Sequence, residues 1–389
     1  MQQVNLNAEA KKLISQAEWL HVDHVGINRL KSEKIARGNG PKISFDAGYN
    51  VADFDASSPL QATLLAGGRS NISYKLTDAL GSSWVLRRPP LGHIMPSAHD
   101  MGREFRVLSG LNKVSFPTPT TRGHCEDESV IGAKFMMMDF VEGRVIESAK
   151  TAESLNPQQA SEISQELVDT LARLHAVDPI AAGLDQLGKP AGYLQRQVKR
   201  WGEQWQITKT RELPEIEALH SWLDTAIAKV PDSLPSSIVH GDYRIDNVIL
   251  AGTNSEIVAV LDWEMSTLGD PISDLAISLV YWSQVTDTLR KKIPVAEDVT
   301  SGPGFWSRQQ VLDRYVDQTG LDISHLDECV ALACFKLAVI MESIHHRNLS
   351  GQQLGAAAGA ESTMGEAAVA LTELGLAVTT SGAISALNQ

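Results

Sequence analysis

The residues best suited to chemistry lie late in the chain, between Val239 and Ala276. This segment reads HGDYRIDNVIL, then VAVLDWE, then GDPISDLA. Asp242 and Asn247 lie five positions apart, and Asp262 follows the apolar run IVAVL. Carboxylate and amide oxygens are ligands that Mg²⁺ accepts, and a further carboxylate can orient an attacking hydroxyl. These residue types suit phosphoryl transfer, in which positioning and charge supply most of the acceleration.

The spacing assigns a role to each residue. The separation of Asp242 and Asn247 is the same as in the kinase catalytic loop, His-Arg-Asp-x-x-x-x-Asn. In that loop the Asp contacts the acceptor and the Asn binds a metal ion. We therefore predict that Asp242 is the catalytic base and that Asn247 and Asp262 bind magnesium. On a strand, Glu264 points to the same side as Asp262 and could serve a second magnesium or its water shell. A polar cluster at strand ends without catalysis is the alternative.

The polar residues around this motif are predicted to be structural. Asp270 precedes Pro271 and suits a helix cap, since Pro is favoured at the first helical position. We expect Asp274 to brace the catalytic loop by hydrogen bonds and His240 to pack beneath it. His175, at the end of an apolar helical face, is expected to be a core histidine with satisfied hydrogen bonds.

The segment that starts at Leu60 favours a small sheet. LQATLLAGGRSNISYKL is typical of strand, turn and strand, and SSWVLRRPP and KFMMMDFVEG predict two further strands. One helix is predicted from Ser97 to Leu111, with Ser97 and Asp100 as a capping box. Met101, Phe105 and Leu108 would line its buried face. These patterns locate four strands and one helix, and we expect five strands in the lobe.

The chain after Gly143 is mainly helical in pattern. Ile163, Leu167, Leu171 and Leu174 recur at helical spacing. Further helices are predicted around Tyr193 to Trp205, Pro271 to Trp282 and Cys329 to Ile344, and in the Ala-rich part after Gly351. SIVHGD and EIVAVLDWE are the two strand-like runs. We divide the chain into an irregular, partly helical leader (1–59), an N-lobe (60–140) and a C-lobe (141–389).

Composition excludes several classes of function. The net charge of −13 disfavours nucleic acid as a partner, because duplex binding needs a cationic surface. The longest apolar stretch, Cys329 to Met341, is interrupted by Lys336 and is short for a membrane span, so a buried helix without a membrane is expected. The three cysteines form no Cys-x-x-Cys pair, and no secretion signal is recognisable. A cytoplasmic protein without structural zinc is the simplest interpretation.

Taken together, the motifs resemble the aminoglycoside and choline kinase-like phosphotransferases. The similarity is closest to a subgroup found alone in bacteria or fused to acyl-CoA dehydrogenases. It extends from about Leu60 to Gly351 and includes GGRSNISY, VLRRPPLG, SAHDMGREFRVL, CEDESVIGAKFMMMDFVEGR and GYLQRQVKRW. The resemblance implies an α+β, protein-kinase-like fold of two lobes. ATP would lie between a small antiparallel-sheet N-lobe and a larger, mainly helical C-lobe.

The resemblance also implies nucleotide-binding residues. Arg87 takes the place of the phosphate-binding cation, and Glu104 that of the helix carboxylate paired with it. Arg88 is the alternative cation, since neighbouring strand residues face opposite sides. The backbone of Asp139, Phe140 and Val141 would meet adenine.

The turn between the first two predicted strands has two open interpretations. Gly67 and Gly68 could form an ordinary hairpin turn, or the turn could face the phosphates with Ser70 and Asn71 donating. The subgroup usually has Gln at the position of Arg69. Arg69 either adds a phosphate contact or points to solvent.

The resulting prediction is an ATP- and Mg²⁺-dependent phosphotransferase acting on a hydroxyl of a small molecule. The subgroup implies a hydroxyacyl-CoA or a hydroxy acid, and an aminoglycoside is the alternative acceptor. A catalytically silent nucleotide-binding regulator and a metal-dependent hydrolase using His240 are the competing classes. The helix carrying Trp201 and Trp205 is expected to pack in the core, although it could form the floor of the acceptor site. A homodimer is left open.

Overall fold

The structure is a computed structural model that describes most of the chain after residue 60. The described residues are 43–45, 61–65, 71–78, 80–89, 100–128, 131–231, 235–252, 254–295, 298–350 and 361–389. The chain divides into two compact units. The first comprises Met1–Asn112, Pro119–Val141 and Leu354–Ala356, and the second comprises Lys113–Thr118, Glu142–Gln353 and Ala357–Gln389.

A six-stranded antiparallel sheet forms the first unit. Its order is β1-β5-β6-β4-β3-β2. The strands are β1 (Ile43–Phe45), β2 (Gln61–Leu64), β3 (Ile72–Thr77), β4 (Ser83–Arg88), β5 (Thr121–Cys125) and β6 (Phe135–Asp139). The central pairs keep a continuous register, with Tyr74 opposite Leu86 and Val85 opposite Met138. Leu76, Leu86 and Ile131 form a buried cluster in this unit.

The sheet corrects the prediction of an irregular leader at one place. Ile43–Phe45 pairs antiparallel with β5 and adds a strand to the five that were expected. Its sequence, ISF, is typical of a strand, but three residues between polar, Gly-containing segments give too short a pattern to recognise. The helical part proposed for the leader lies outside the described residues.

The helix of the first unit, α1, runs from Met101 to Lys113. It begins later than predicted, because the Asp100 carboxylate accepts the backbone N–H of Arg103 and so occupies the capping position. Ser97, the other half of the proposed capping box, lies outside the described residues. Phe105 and Leu108 are buried, which confirms the predicted apolar face.

Helices dominate the second unit. They are α2 (Ala149–Ala152), α3 (Pro157–His175), α4 (Pro179–Ala182), α5 (Tyr193–Thr208), α6 (Pro214–Ile227), α7 (Pro271–Tyr281), α8 (Arg308–Thr319), α9 (Leu326–Leu349), α10 (Glu361–Ser381) and α11 (Ala383–Leu387). The helices predicted around residues 163–174, 193–205, 271–282 and 329–344 are confirmed. The Ala-rich end is also helical, in α10 and α11.

Helix α9 is the centre of this unit. It packs against α5, α6, α7 and α10, and most of its residues from Cys329 to Met341 are buried. Its 24 residues are long and apolar enough to cross a membrane by length and composition, with 67% of the apolar window buried inside the protein. The predicted buried helix is therefore confirmed, but the argument from insufficient length was wrong. Residues beyond Met341 extend the helix further than the apolar run indicated.

Two small antiparallel pairs carry the motif found in the sequence. β7 (Ser237–Val239) pairs with β10 (Thr267–Gly269), and β8 (Val248–Leu250) pairs with β9 (Ile257–Val260). β7 and β9 were predicted, whereas β8 and β10 were not recognised. Both pairs end at the loop that contains Asp242.

Candidate active site

The catalytic loop starts where β7 ends. Gly241, in the His-Gly-Asp sequence, has a φ of +83°. A Cβ atom there would lie 2.8 Å from the Met265 carbonyl oxygen, so both the backbone conformation and the available space require glycine. The turn at Gly241 directs the chain from β7 into Asp242.

The Asp242 carboxylate accepts hydrogen bonds from three side chains. The Tyr281 hydroxyl donates to Oδ1 over 2.7 Å, and the Arg244 Nε donates to Oδ2 over 3.2 Å. The Asn247 Nδ2 also donates to Oδ2, over 3.1 Å. The side chain is 18% exposed, so Asp242 is fixed in orientation while part of it stays accessible.

Asn247 and Asp262 lie at the same end of the β8–β9 hairpin. Asn247 comes directly before Val248, which pairs with Val260, and the backbone N–H of Leu261 donates to the Asn247 carbonyl over 2.8 Å. A second bond from Asn247 Nδ2 to the backbone oxygen of Asp242 measures 2.9 Å. The fold thus brings the three residues that the sequence singled out into one region of the second unit.

The backbone at Asp262 is not that of a strand. Its φ of 66° and ψ of 59° are left-handed, and residues Trp263–Met265 form a 3-10 turn. Asp tolerates this conformation better than most residues, and such outliers cluster at functional sites. The strand alternation that placed Glu264 on the side of Asp262 is therefore wrong, since β9 ends at Val260. The role of Glu264 toward a second magnesium stays a prediction.

These donors fit a magnesium ion. Because the Asn247 Nδ2 donates to Asp242, the amide oxygen of Asn247 is turned away from that carboxylate. The Asn247 amide oxygen and the Asp262 carboxylate are both hard oxygen ligands, the type that Mg²⁺ binds. Proteins usually supply only a few such ligands to Mg²⁺, and water and phosphate complete the coordination shell.

Asp274 holds the catalytic loop from below. Its carboxylate accepts the backbone N–H of His240 over 2.6 Å and that of Gly241 over 2.7 Å. His175 Nε2 lies 3.3 Å from the same carboxylate, and His175 Nδ1 lies 2.6 Å from the Tyr315 hydroxyl. Burial acts to raise the pKa of Asp274, but hydrogen bonds and charge from His175 and His240 lower it below its ordinary value. The bracing role of Asp274 and the satisfied state of His175 are confirmed.

His240 connects the catalytic loop to Leu261, the residue that follows β9. Its Nδ1 accepts the backbone N–H of Asp242 over 3.2 Å, so Nε2 carries the proton and donates to the Leu261 carbonyl over 2.8 Å. The side chain is fully buried and contacts the Trp263 ring. This confirms the predicted packing role, and both ring nitrogens are engaged in it.

Arg244 and Tyr281 belong to the site although the sequence did not assign them to it. Arg244 also contacts the Asp246 carboxylate, and its guanidinium lies 5.5 Å from the centre of the Tyr281 ring. Burial opposes the charge of Arg244, but Asp242, Tyr281 and Asp246 together outweigh burial and raise the pKa of Arg244 above its usual range. Burial, followed by Asp242, raises the pKa of Tyr281, so its hydroxyl remains a donor. Tyr281 carried no local signal, because it reads as the last apolar residue of a helix.

Lys336 is a second cation beside the loop. Its ammonium donates to the Gly241 carbonyl over 2.6 Å and lies 5.9 Å from the Trp201 ring. Burial lowers the pKa of Lys336 to about 8, with Asp242 acting in the opposite direction. The interruption of an apolar run by one lysine was the sequence signal for this contact.

Trp201 and Trp205 on α5 are buried, which confirms the predicted core packing of this helix.

The predicted pair of Arg87 and Glu104 is present in the first unit. The Nε of Arg87 donates to Oε2 of Glu104 over 3.1 Å, and their side chains are 12% and 2% exposed. Arg88 is directed elsewhere, since it is 1% exposed and its Nε donates to the Pro89 carbonyl. The pairing therefore favours Arg87 over Arg88 as the cation held by the helix carboxylate.

The segment proposed to meet adenine follows β6. The backbone N–H of Asp139 donates to the Thr120 carbonyl over 2.8 Å, and that of Phe140 donates to the Ser83 carbonyl over 3.3 Å. Lys75 lies 3.7 Å from the centre of the Phe140 ring. Two of the three amides are thus engaged within this unit, and the adenine-facing role of the segment stays a prediction.

The Gly-containing turn is described only at its end. Gly67, Gly68, Arg69 and Ser70 lie outside the described residues. Asn71 is 1% exposed at the start of β3. The choice between a hairpin turn and a phosphate-facing turn therefore stays a prediction.

The fold and the site together define a small-molecule phosphotransferase of kinase-like fold. A small antiparallel sheet carries an ion-paired arginine, and a mainly helical unit carries the His-Gly-Asp loop with its asparagine and second aspartate. Residues 61–301 match the family model of the phosphotransferase enzyme family, APH. The chain belongs to this family.

Similar proteins agree with this assignment. A candidate aminoglycoside phosphotransferase from Ralstonia eutropha is 30% identical, with a TM-score of 0.66 over 81% of this chain and 93% of that one. Amicoumacin kinase, solved with AMP-PNP and Ca²⁺, shares the fold at 15% identity, with a TM-score of 0.53 over 83% of this chain and 89% of that one.

A longer relative matches this chain over only part of the relative's length. Acyl-CoA dehydrogenase family member 11 of Rattus norvegicus is 33% identical over 302 residues, which are 76% of this chain and 38% of the relative. The chain thus spans under two fifths of that protein.

Proposed function

We propose that this phosphotransferase uses ATP and magnesium to phosphorylate a hydroxyl group of a hydroxyacyl-CoA or a related hydroxy acid. The observation that carries the proposal is the direct hydrogen bond between Asn247 and Asp242, with Asp262 at the same end of the hairpin. This arrangement supports the proposal, because Asp242, the carboxylate that we propose orients the acceptor, lies near two residues whose oxygens suit Mg²⁺.

Asp242 is suited to orient the acceptor hydroxyl. A carboxylate has about four lone-pair sites for hydrogen bonds. Tyr281, Arg244 and Asn247 engage three of them. The remaining site can accept the hydroxyl proton of the acceptor, which aligns that oxygen for attack on the terminal phosphate.

The supporting residues keep this geometry before the substrates bind. Asp274 fixes the backbone of the loop on one side, and His240 ties it to Leu261 on the other. Asn247 and Asp262 would hold the magnesium ion, which, when bound, neutralises charge on the transferring phosphate. Within the first unit, Arg87, held by Glu104, is the cation that we propose for nucleotide binding.

Arg244 reduces the negative charge beside Asp242. It pairs with Asp242 and contacts Asp246, so part of the carboxylate charge that would attract a cationic acceptor is neutralised. The weaker attraction supports a hydroxy acid rather than a polycationic aminoglycoside as the acceptor. The name of the rat relative, an acyl-CoA dehydrogenase family member, further supports an acyl-CoA as the acceptor.

A turnover assay with ATP and magnesium tests the proposal. The acceptors would be hydroxyacyl-CoAs, the corresponding free hydroxy acids, choline and aminoglycosides. We expect phosphorylation of a hydroxyacyl-CoA or hydroxy acid, and its loss by more than a hundredfold in Asp242→Asn and Asp262→Ala. The exposed Asp313 on α8 gives the matched control Asp313→Asn, which should keep full activity.

Each other outcome contradicts a stated part of the proposal. Unchanged turnover in both site variants would show that the site is wrongly assigned. Turnover of aminoglycosides alone would refute the acceptor and leave the site intact. Stabilisation by Mg-ATP without turnover of any acceptor would indicate a silent nucleotide-binding protein.

A further inference from the structure

A lysine on α9 contacts the catalytic loop from the helical part of the second unit. The ammonium of Lys336 donates to the Gly241 carbonyl over 2.6 Å, although the two residues lie 95 positions apart. Gly241 is the left-handed residue that directs the chain into Asp242. The hydrogen bond therefore ends one residue before the carboxylate that we propose orients the acceptor.

The environment of this ammonium compensates its charge only in part. A lysine carries three N–H donors, and among the residues that the structure describes only the Gly241 carbonyl accepts one of them. No carboxylate of the described residues forms an ion pair with Lys336. Burial lowers the pKa of Lys336 to about 8; Asp242 and Asp274 act against burial, and Arg200 on α5 acts with it.

The charge of Lys336 therefore costs stability. A pKa below that of an unfolded lysine means that the ammonium is less favourable inside the fold than in water. An apolar side chain of similar length would fill the same space without this cost. Groups that are destabilised in this way and lie beside a catalytic loop are typical of functional positions.

The contact completes the support of one turn. Gly241 lies between two peptide groups, and glycine leaves both of them free to rotate unless other groups hold them. Asp274 accepts the N–H of the first peptide, that of Gly241, over 2.7 Å. In the second peptide, His240 Nδ1 accepts the Asp242 N–H over 3.2 Å, and Lys336 donates to the Gly241 carbonyl. The bond from Lys336 is the shorter of the two that hold the second peptide.

We infer that Lys336 is a positioning residue for phosphoryl transfer, whose ammonium holds the Gly241 carbonyl and so fixes the turn from which Asp242 meets the acceptor. The inference rests on the proposed function, because it requires Asp242 to orient the acceptor hydroxyl. The ammonium acts through the loop backbone, and the transferred phosphate and the acceptor proton do not pass through it.

Replacement of the ammonium tests the inference. Lys336→Met keeps an unbranched side chain without donors, and Lys336→Arg keeps charge and donors at every pH of the assay. Lys199→Met, which removes an exposed lysine from α5, is the matched control. We would measure kcat and KM for ATP from about pH 6.5 to 9.5, with 3-hydroxybutyryl-CoA and 3-hydroxybutyrate as acceptors.

We expect Lys336→Met to lower kcat about tenfold at neutral pH and to leave KM for ATP unchanged, since the turn and not the nucleotide site is altered. In wild type, kcat should fall as the pH rises through about 8, where the ammonium loses its proton. This decline should be absent from Lys336→Met. Lys336→Arg should recover part of the lost kcat and show no decline near pH 8, and Lys199→Met should match wild type in both respects.

A wild-type kcat in Lys336→Met, or the wild-type alkaline decline in that variant, would overturn the inference and leave the proposed function standing. If thermal melting shows that Lys336→Met does not fold, the pH profile of Lys336→Arg decides, because a decline at the wild-type pH would overturn the inference and a flat profile would support it. Absence of turnover by the unaltered protein on every hydroxy acid and hydroxyacyl-CoA would overturn the proposed function and the inference with it.

Discussion

The Tyr281 hydroxyl donates a 2.7 Å hydrogen bond to Oδ1 of Asp242, joining the last residue of α7 to the catalytic loop. The two residues lie 39 positions apart in the sequence. The bond fixes one oxygen of the carboxylate, while Arg244 and Asn247 fix the other. Asp242 therefore has one defined orientation in the folded protein.

Removal of this hydroxyl should impair turnover more than folding. We expect Tyr281→Phe to lower kcat about tenfold, because a hydrogen bond to a charged group contributes about 1.5–3 kcal/mol and part of this acts on carboxylate position. Steady-state kinetics with ATP and the acceptor, together with thermal melting, would measure both effects. Tyr193→Phe alters a half-buried tyrosine whose hydroxyl contacts Ser273; it is the control and should keep kcat. An unchanged kcat in Tyr281→Phe would contradict the positioning role.

Replacement of Asp274 should destabilise the protein as well as inactivate it. In Asp274→Asn, one acceptor oxygen becomes an NH₂ group that faces a backbone N–H, so a buried donor loses its partner. The expected loss of unfolding free energy is about 2–4 kcal/mol, measured by urea denaturation. Asp169→Asn, which breaks a partly exposed pair with Arg314, should cost about 1 kcal/mol or less.

The same carboxylate predicts a dependence of stability on pH. The pKa of Asp274 is lowered in the folded protein, so the unfolded state binds the proton more tightly. Its contribution is complete above the ordinary Asp pKa of about 4 and is lost as the pH falls through the lower folded value. Wild type should therefore lose stability below about pH 4 more steeply than Asp274→Asn. Parallel acid-unfolding curves for the two proteins would refute this.

Lys336 predicts that the stability of the protein also depends on pH in the alkaline range. Burial lowers its pKa to about 8, below the value of about 10.4 in an unfolded chain. Between these values the unfolded state binds more protons, so the stability of wild type relative to Lys336→Met should rise from pH 8 to pH 10. Urea unfolding at pH 7, 8.5 and 10 measures the difference. A constant difference across that range would show that Lys336 titrates normally.

The Arg87–Glu104 pair should be more sensitive than a surface pair. Both side chains are largely buried, so Glu104→Gln leaves a buried cation without its carboxylate and should cost about 3 kcal/mol. The pair between Arg122 and Asp139, each about 30% exposed, is the matched control in the same sheet, and Asp139→Asn should cost about 1 kcal/mol. Equal losses in the two variants, measured by denaturant unfolding, would argue against a special role for the buried pair.

The sequence by itself determined the family and the main elements. Local spacing placed Asp242 and Asn247 on one loop, because five residues of chain cannot separate them far. Helical periodicity identified α3, α5, α7 and α9, since a buried face must repeat every three to four residues. The motifs between Leu60 and Gly351 also led to the correct family.

Only the tertiary structure decided which distant residues complete the site. Tyr281 and Lys336 reach the loop through packing of helices, and no local pattern in the sequence identifies the loop as their partner. The alternation of a strand predicted the direction of the Glu264 side chain. The backbone at Asp262 is left-handed instead, because the geometry at the end of the hairpin overrides the local pattern. The strand Ile43–Phe45 likewise depends on pairing with β5, a partner that lies about 80 residues away along the chain.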